Sequence, residues 1–409
     1  MSSPRRSLAA ARPAPSLRVG VAALIGALFG MPALAETFQP FVGASITHED
    51  NLLRLSDDQR KLADSADTYR SATGGVLFKR PIGLQTFSGG ASLTSVKYDR
   101  FGQLDYLGKN ASGEWHWFLT TRFEGHIGGS YEQASAPFSD FHSYERNLRI
   151  TRKQYANGSW RFHPSWQWRA EYTKERYAYE QLSERDNDRT EEAVTTGIDY
   201  LASSGSTIGL QLRQLKGKYP YSQALGPGLF GNDYTQDEAK VNITWLATGQ
   251  TQVLFLGGWV RRKQDSRAGS SDSGTNARLI VNWAPTARVK LNGQAWREFS
   301  AIEGALIDSA LDSGALGQAI WDVSEKIQAV ASLKHEARKF APTSAARASL
   351  PSTAFKDGST IANLGISYKP LRKLTLKLNA FRDRRAGSVA AGTNSFTANG
   401  ASFSVSQQF

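Results

Sequence analysis

The chain has 409 residues, a formal charge of +12, no cysteine, 37 glycines and ten tryptophans. Without cysteine, neither a disulfide framework nor a thiolate metal site can form. The length would allow two soluble domains, but no Pro- or Gly-rich linker divides the chain, which favours one large domain.

Arg5, Arg6, Arg12 and Arg18 precede an apolar run from Val19 to Phe29, and Ala33-Leu34-Ala35 then supplies a small-x-small cleavage site before Glu36. This order predicts a cleaved secretion signal over 1–35, and the run is too short to span a bilayer. The signal holds those four arginines and no acidic residue, so +8 of the +12 remains for 36–409. Export removes nucleic acid as a partner and leaves anionic lipid or an anionic solute.

Beyond the signal the repeating unit is a two-residue alternation about ten residues long, followed by a turn. Trp166, Trp168, Ala170 and Tyr172 alternate with Gln167, Arg169, Glu171 and Thr173. The same period runs through Glu238–Trp245, Asn276–Trp283, Val289–Ala295 and Lys373–Ala380. It is the period of a strand with one apolar and one polar face. A soluble sandwich would turn the apolar face inward and a membrane barrel would turn it to lipid.

The connections decide between them. Eight tight turns are predicted near Arg80–Gly83, Phe118–Thr121, His163–Ser165, Ala202–Ser206, Ala247–Gln250, Ala284–Ala287, Ser324–Lys326 and Lys369–Leu371. Nine longer polar segments lie between or outside them, near 49–68, 99–106, 134–142, 180–191, 216–234, 263–274, 300–313, 341–358 and 384–394. Short turns alternating with long loops, and an even strand number, are the signature of a transmembrane antiparallel β-barrel. Seventeen connections predict an all-β fold of about 18 strands over 36–409, with short periplasmic turns and long external loops. Trp115, Trp117, Trp160, Trp166, Trp168, Trp245, Trp283 and Trp321 all fall near short turns, whereas Trp259 and Trp296 do not. Amphipathic rings at one level predict a girdle at a lipid–water interface, here that of the bacterial outer membrane.

The last strand carries Phe403, Val405 and the terminal Phe409 on one parity, interrupted by Gln407. A terminal aromatic on an apolar stripe reads as an assembly signal for the barrel-assembly machinery. On the polar faces lie Arg149, Arg161, Arg169, Arg213, Lys240, Arg278, Lys290, Lys334 and Lys377. A barrel of this size has room for an aqueous channel, and cations lining a low-dielectric wall concentrate anions. The competing reading is structural, with Arg and Lys bracing the wall against carboxylates on neighbouring strands.

Recognisable catalytic chemistry is absent from the sequence. None of the six histidines lies in a Ser-His-Asp or His-Glu-x-x-His pattern. Glu124 and His126 share a lumen-facing parity with His116 nearby, and interior hydrogen bonding is the expected role. No cofactor or metal site is predicted. Asp50 and Asn51 are placed to start a turn where the first strand ends, with a sugar contact or calcium site as the other possibility.

The mature chain opens Phe38-Gln39-Pro40-Phe41-Val42-Gly43-Ala44-Ser45 and continues His48-Glu49-Asp50-Asn51-Leu52-Leu53-Arg54-Leu55. A first strand running into Asp-Asn-Leu-x-Arg-Leu resembles the EpsL-like outer-membrane proteins, found with exopolysaccharide biosynthesis operons, often beside an exosortase. Phe162-His163-Pro164-Ser165-Trp166 and the hairpin spacing are similar to that family as well. The resemblance covers the mature chain. It implies a conduit for an exopolysaccharide across the outer membrane, anionic if the basic lumen guides it; outer-membrane lipids would surround the barrel, and whether a periplasmic polysaccharide-export protein docks at the short-turn end is not encoded in the sequence. An anion-selective general porin and a non-conducting scaffold for surface polysaccharide are the alternatives.

Overall fold

A computed structural model describes residues 37–139, 144–221, 233–264, 271–300, 307–342 and 355–409. The expected signal over 1–35 lies outside the described residues. Eighteen strands follow in chain order: β1 (Phe38–Glu49), β2 (Asp67–Ile82), β3 (Gln85–Tyr98), β4 (Tyr106–Thr120), β5 (Phe123–Ser135), β6 (Leu148–His163), β7 (Trp166–Tyr179), β8 (Arg189–Leu201), β9 (Thr207–Lys218), β10 (Tyr234–Thr248), β11 (Thr251–Gln264), β12 (Ser271–Thr286), β13 (Val289–Ser300), β14 (Ile307–Asp322), β15 (Ile327–Pro342), β16 (Lys356–Leu371), β17 (Leu374–Ala386) and β18 (Phe396–Gln408). Each pairs antiparallel with its sequence neighbours, and β1 pairs with β18 from Phe41↔Gln408 to Glu49↔Gly400. Closure removes every sheet edge, so the ladder satisfies the backbone without water, as a membrane requires.

The alternation sorts side chains as the sequence predicts. Trp115, Trp160, Trp166, Trp168, Trp245, Trp283 and Trp321 all face outward near the short turns and remain 39–54% exposed. On the same outer face Leu93, Leu210, Leu212, Leu333, Leu364 and Leu378 are each more than half exposed. An apolar surface this continuous needs lipid rather than water. The other parity meets across the interior, as where Arg169 of β7 bonds Asn242 of β10, three strands away. The polar face is therefore the lumen wall.

The strands run 12–16 residues, longer than the expected ten, so several predicted loop segments are strand ends. Pro285 and Pro370, expected within turns, sit at strand ends beside register shifts at Trp283/Thr286 and Tyr368/Leu371. Lacking an N–H, proline is tolerated in a sheet at such bulges. The turns themselves fall two to three residues later, at Ala287-Arg288 and Arg372-Lys373. Between β2 and β3 the turn is Gly83-Leu84, where Gly83 takes φ +58°.

Candidate functional site: the lumen and its external constriction

The long connections carry seven of the 18 buried apolar residues among the described residues, and some fold into the external mouth. After β1 the chain turns inward at Asp50, whose carboxylate accepts from the Asn399 backbone N–H and side-chain amide of β18 at 2.7 and 2.8 Å. Asn51 is fully buried and closes the turn, accepting from Leu55 N–H at 2.9 Å and donating to Leu55 O and Thr397 O. Ser65 donates its hydroxyl to the same Asn51 oxygen. This is the side-chain-closed turn expected of Asp50-Asn51. Leu52, Leu53 and Leu55 then bury against Leu104, Tyr69, Tyr98, Phe101 and Phe138. Each buried leucine contributes about 1.5–3 kcal/mol, which holds the knot inside the mouth. Helix α1 (Asp57–Leu62) follows, opened by a Ser56–Gln59 capping box.

Arg54, at φ 55°, donates to Glu49 at 2.6 Å and sits 3.5 Å from Asp383 of β17. Its guanidinium lies 5.8 Å over the ring of Phe396 in β18. A second group stands beside it. Asp357 of β16 accepts from Arg338 of β15 and from Arg385 of β17, each at 2.6 Å, and is buried. Arg385 also donates at 2.7 Å to the carbonyl of Ser139, in the connection after β5. That connection thus reaches across the interior to a wall six strands from β5. With the Leu52–Leu55 knot it lies inside the external half of the barrel, where Glu49, Arg54, Tyr98, Phe138 and Asp383 line a cavity of about 420 Å³. In the loop before β8, burial pushes the Asp188 carboxyl up although Tyr179 N–H donates to it.

The nine basic residues read from the sequence all lie on the inner parity, and they divide by partner. Arg169 pairs with Asp199 at 2.9 Å, Arg213 with Glu238 at 2.9 Å, and Lys240 with the same Glu238 at 2.6 Å. Arg278 pairs with Glu298, Lys290 with Asp322 at 3.6 Å, and Lys334 with Glu336 at 3.0 Å. Arg149, Arg161 and Lys377 have no carboxylate within ion-pair distance among the described residues. Arg161 and Lys377 are exposed near the short-turn end, and Arg149 is half-buried near the external end. Arg161 sits at the register shift between Trp160 and His163. The sequence reading missed Arg54, Arg338, Asp357, Asp383 and Arg385. Arg338 and Arg385 continue the parity of Lys334 and Lys377, so the signal was present but fell beyond a ten-residue strand.

Two aromatic features complete the wall. Trp296 of β13 faces the lumen, flanked by Arg278 at 5.6 Å and Lys334 at 5.5 Å. Gly314 of β14 makes room for it, because a Cβ there would lie 2.4 Å from the indole. Trp259, by contrast, is 55% exposed on the lipid face. His116 and His126 stack at 4.1 Å, and His116 Nε2 is 3.8 Å from Glu124. They border a cavity of about 330 Å³ with Asn157, Gln167 and Arg169. Asn157 Oδ1 accepts from His126 N–H, and no serine or threonine hydroxyl is hydrogen-bonded to either imidazole among the described residues. No set of three or more His, Asp and Glu side chains is gathered as a metal cage among the described residues.

At the seam, Phe403 and Val405 lie on the lipid face of β18, with Phe403 45% exposed. Phe409 donates its backbone N–H to Pro40 O of β1 at 2.9 Å. A closed 18-strand barrel with an apolar outer wall, a tryptophan girdle at the short-turn end and a polar lumen is an outer-membrane β-barrel protein. Among solved structures the chain is similar to OccK2 (OpdF) of Pseudomonas aeruginosa, at 8% identity over 91% of this chain and 97% of that one, with TM-score 0.51. It is also similar to the outer membrane protein OpdK of Pseudomonas aeruginosa, at 9% identity, coverage of 91% and 100%, and TM-score 0.49. OccAB4 of Acinetobacter baumannii gives 11% identity, coverage of 93% and 100%, and TM-score 0.48. At such identities the likeness is one of fold. No family model matches the chain. No curated protein matches it either.

Proposed function

We propose that the protein is a porin-like channel that passes anionic solutes across the outer membrane. The observation that carries this reading is the pair Arg161 and Lys377, exposed on the lumen face and free of carboxylate partners among the described residues. Most other lumen cations are held in ion pairs and act first as braces. Two unpaired cations in a water-filled tube with low-dielectric walls raise the local anion concentration. The external constriction of Arg54, Arg338 and Arg385, each held by carboxylates, sets the size of what passes. The test is conductance of the purified barrel in a planar bilayer. Under a KCl gradient the reversal potential lies on the chloride side and the preference weakens with salt. A non-conducting barrel, or one that prefers potassium, overturns the reading.

A narrower reading is an anionic exopolysaccharide as the solute. Trp296 supports it, since an indole between two cations suits a sugar ring bearing a carboxylate, and so does the EpsL-like opening at Asp50-Asn51-Leu52-Leu53-Arg54-Leu55. Deleting the gene and measuring secreted acidic polymer separates the two: unchanged secretion leaves only the small-solute channel.

A further inference from the structure

Pairing the lumen cations leaves much of the chain's positive charge to be placed elsewhere. A large part sits on the lipid-facing wall, near the external rim of β6 to β11. Arg152 of β6 stands directly opposite Arg176 of β7, Arg176 opposite Thr190 of β8, and Thr190 opposite Lys218 of β9. One step nearer the membrane centre, Lys174 stands opposite Glu192, Glu192 opposite Lys216, Lys216 opposite Thr235, and Thr235 opposite Lys263. All six cations share the outward parity of Trp160, Trp168, Leu212 and Trp259.

Glu192 is the acidic residue in these two rows, and it is bonded to Lys174 at 2.7 Å. Arg152, Arg176, Lys216, Lys218 and Lys263 have no carboxylate within ion-pair distance among the described residues. Arg152 lies over the ring of Tyr131, 5.6 Å from its centroid. Like charges directly opposite on paired strands destabilise a sheet. On a lipid-facing wall the charges cannot be relieved by bulk water except at an interface. Among the described residues Glu192 is thus the one carboxylate of these rows set against six cations, which leaves the patch with an excess of positive charge.

The position says which anion. Arg152 and Arg176 lie eight residues above Trp160 and Trp168 along their strands. At 3.3 Å per residue and a tilt of 35–45°, that is roughly 20 Å along the membrane normal. The apolar band of such barrels is about 25 Å tall, so the guanidinium and ammonium groups reach the outer-leaflet headgroups. We propose that Arg152, Arg176 and Lys218, with Lys174, Lys216 and Lys263, bind the phosphate groups of an outer-leaflet glycolipid. Arginine is suited to this, because its planar fork meets phosphate oxygens in pairs.

The test uses the folded full-length barrel in detergent with purified lipopolysaccharide, dephosphorylated lipopolysaccharide and inorganic phosphate as separate probes. The wild type should retain lipopolysaccharide, bind the dephosphorylated form far more weakly, and show no comparable affinity for inorganic phosphate. The triple variant R152Q/R176Q/K218Q should lose on the order of 100-fold in affinity, taking each cation at a charged membrane surface at its usual worth. A lumen triple, R149Q/R161Q/K377Q, removes the same charge and should bind as the wild type. The charge-preserving pair R152K/R176K should fold and retain most of the binding. Equal binding by the outer triple and the wild type overturns the proposal, as does an equal loss in the lumen triple. Equal retention of phosphorylated and dephosphorylated forms also overturns it, because apolar contact would then suffice.

Discussion

Arg54 joins Glu49 of β1 to Asp383 of β17, passing over Phe396 of the intervening β18. One side chain from the first external connection thus fastens three consecutive strands at the closure seam. Both carboxylates are largely shielded from water, with side chains 8% and 15% exposed. Arg54→Ala leaves them uncompensated, and breaking a shielded pair from one side costs about 3 kcal/mol. The expected result is a lower urea midpoint and a higher single-channel conductance, as the Leu52–Leu55 knot loosens from the mouth. Adding Asp383→Asn to Arg54→Ala should recover part of the stability. No recovery in that double-mutant cycle would mean that the ion pair does not hold the seam.

The topology predicts accessibility. Val389, in the connection after β17, is 93% exposed and belongs to the external face. Ser204 lies in the short turn between β8 and β9 and belongs to the periplasmic face. The chain has no native cysteine to interfere. Val389→Cys should react with an impermeant maleimide on intact cells, and Ser204→Cys only after the outer membrane is breached. The opposite pattern would invert the barrel, and with it the assignment of the basic outer patch to the external leaflet.

Phe409 is predicted to be needed for assembly. Its backbone closes the ladder onto Pro40 O, and its parity continues the lipid-facing stripe of Phe403 and Val405. Deleting Phe409 should leave protein in the periplasm that lacks the heat-modifiable migration of a folded barrel. If Phe409→Ala assembles at normal yield while deletion does not, the backbone bond matters and the ring is incidental.

The architecture was readable because a closed barrel writes its rules locally. Alternation fixed which of Trp166 and Gln167 meets lipid, and short turns such as Pro164-Ser165 marked one end of every hairpin. Strand ends were less readable, because Pro285 and Pro370 signal turns in sequence but occupy bulges two to three residues before them. The constriction was hardest to see. Arg385 meets Ser139 across 246 residues of chain, and no local period encodes such a contact. Parity also says only that Arg213 and Lys377 face inward. That Arg213 has Glu238 opposite it, and Lys377 has Ser404 and Ser367, depends on register between strands.

That difference in register yields a last prediction. Arg161 and Lys377 are exposed and lack carboxylates, whereas Arg213 shares the buried Glu238 with Lys240. Removing the first two should therefore change selectivity without changing stability. Each charge contributes on the order of 1 kcal/mol to an ion at contact distance in water, so R161Q/K377Q should move the reversal potential measurably toward cation preference. The shift should be largest in dilute KCl and fade as screening shortens to about 3 Å at 1 M. Arg213→Gln should behave in the opposite way. It leaves Glu238 held by Lys240 at 2.6 Å and by the Gln236 amide, and it removes one charge, set against a carboxylate, where R161Q/K377Q removes two free ones, so the reversal potential should shift less. It weakens the tie between β9 and β10, and the urea midpoint should fall. If Arg213→Gln shifts the reversal potential more than R161Q/K377Q does, the paired cations govern permeation, and the channel reading must be rebuilt around the ion-paired belt.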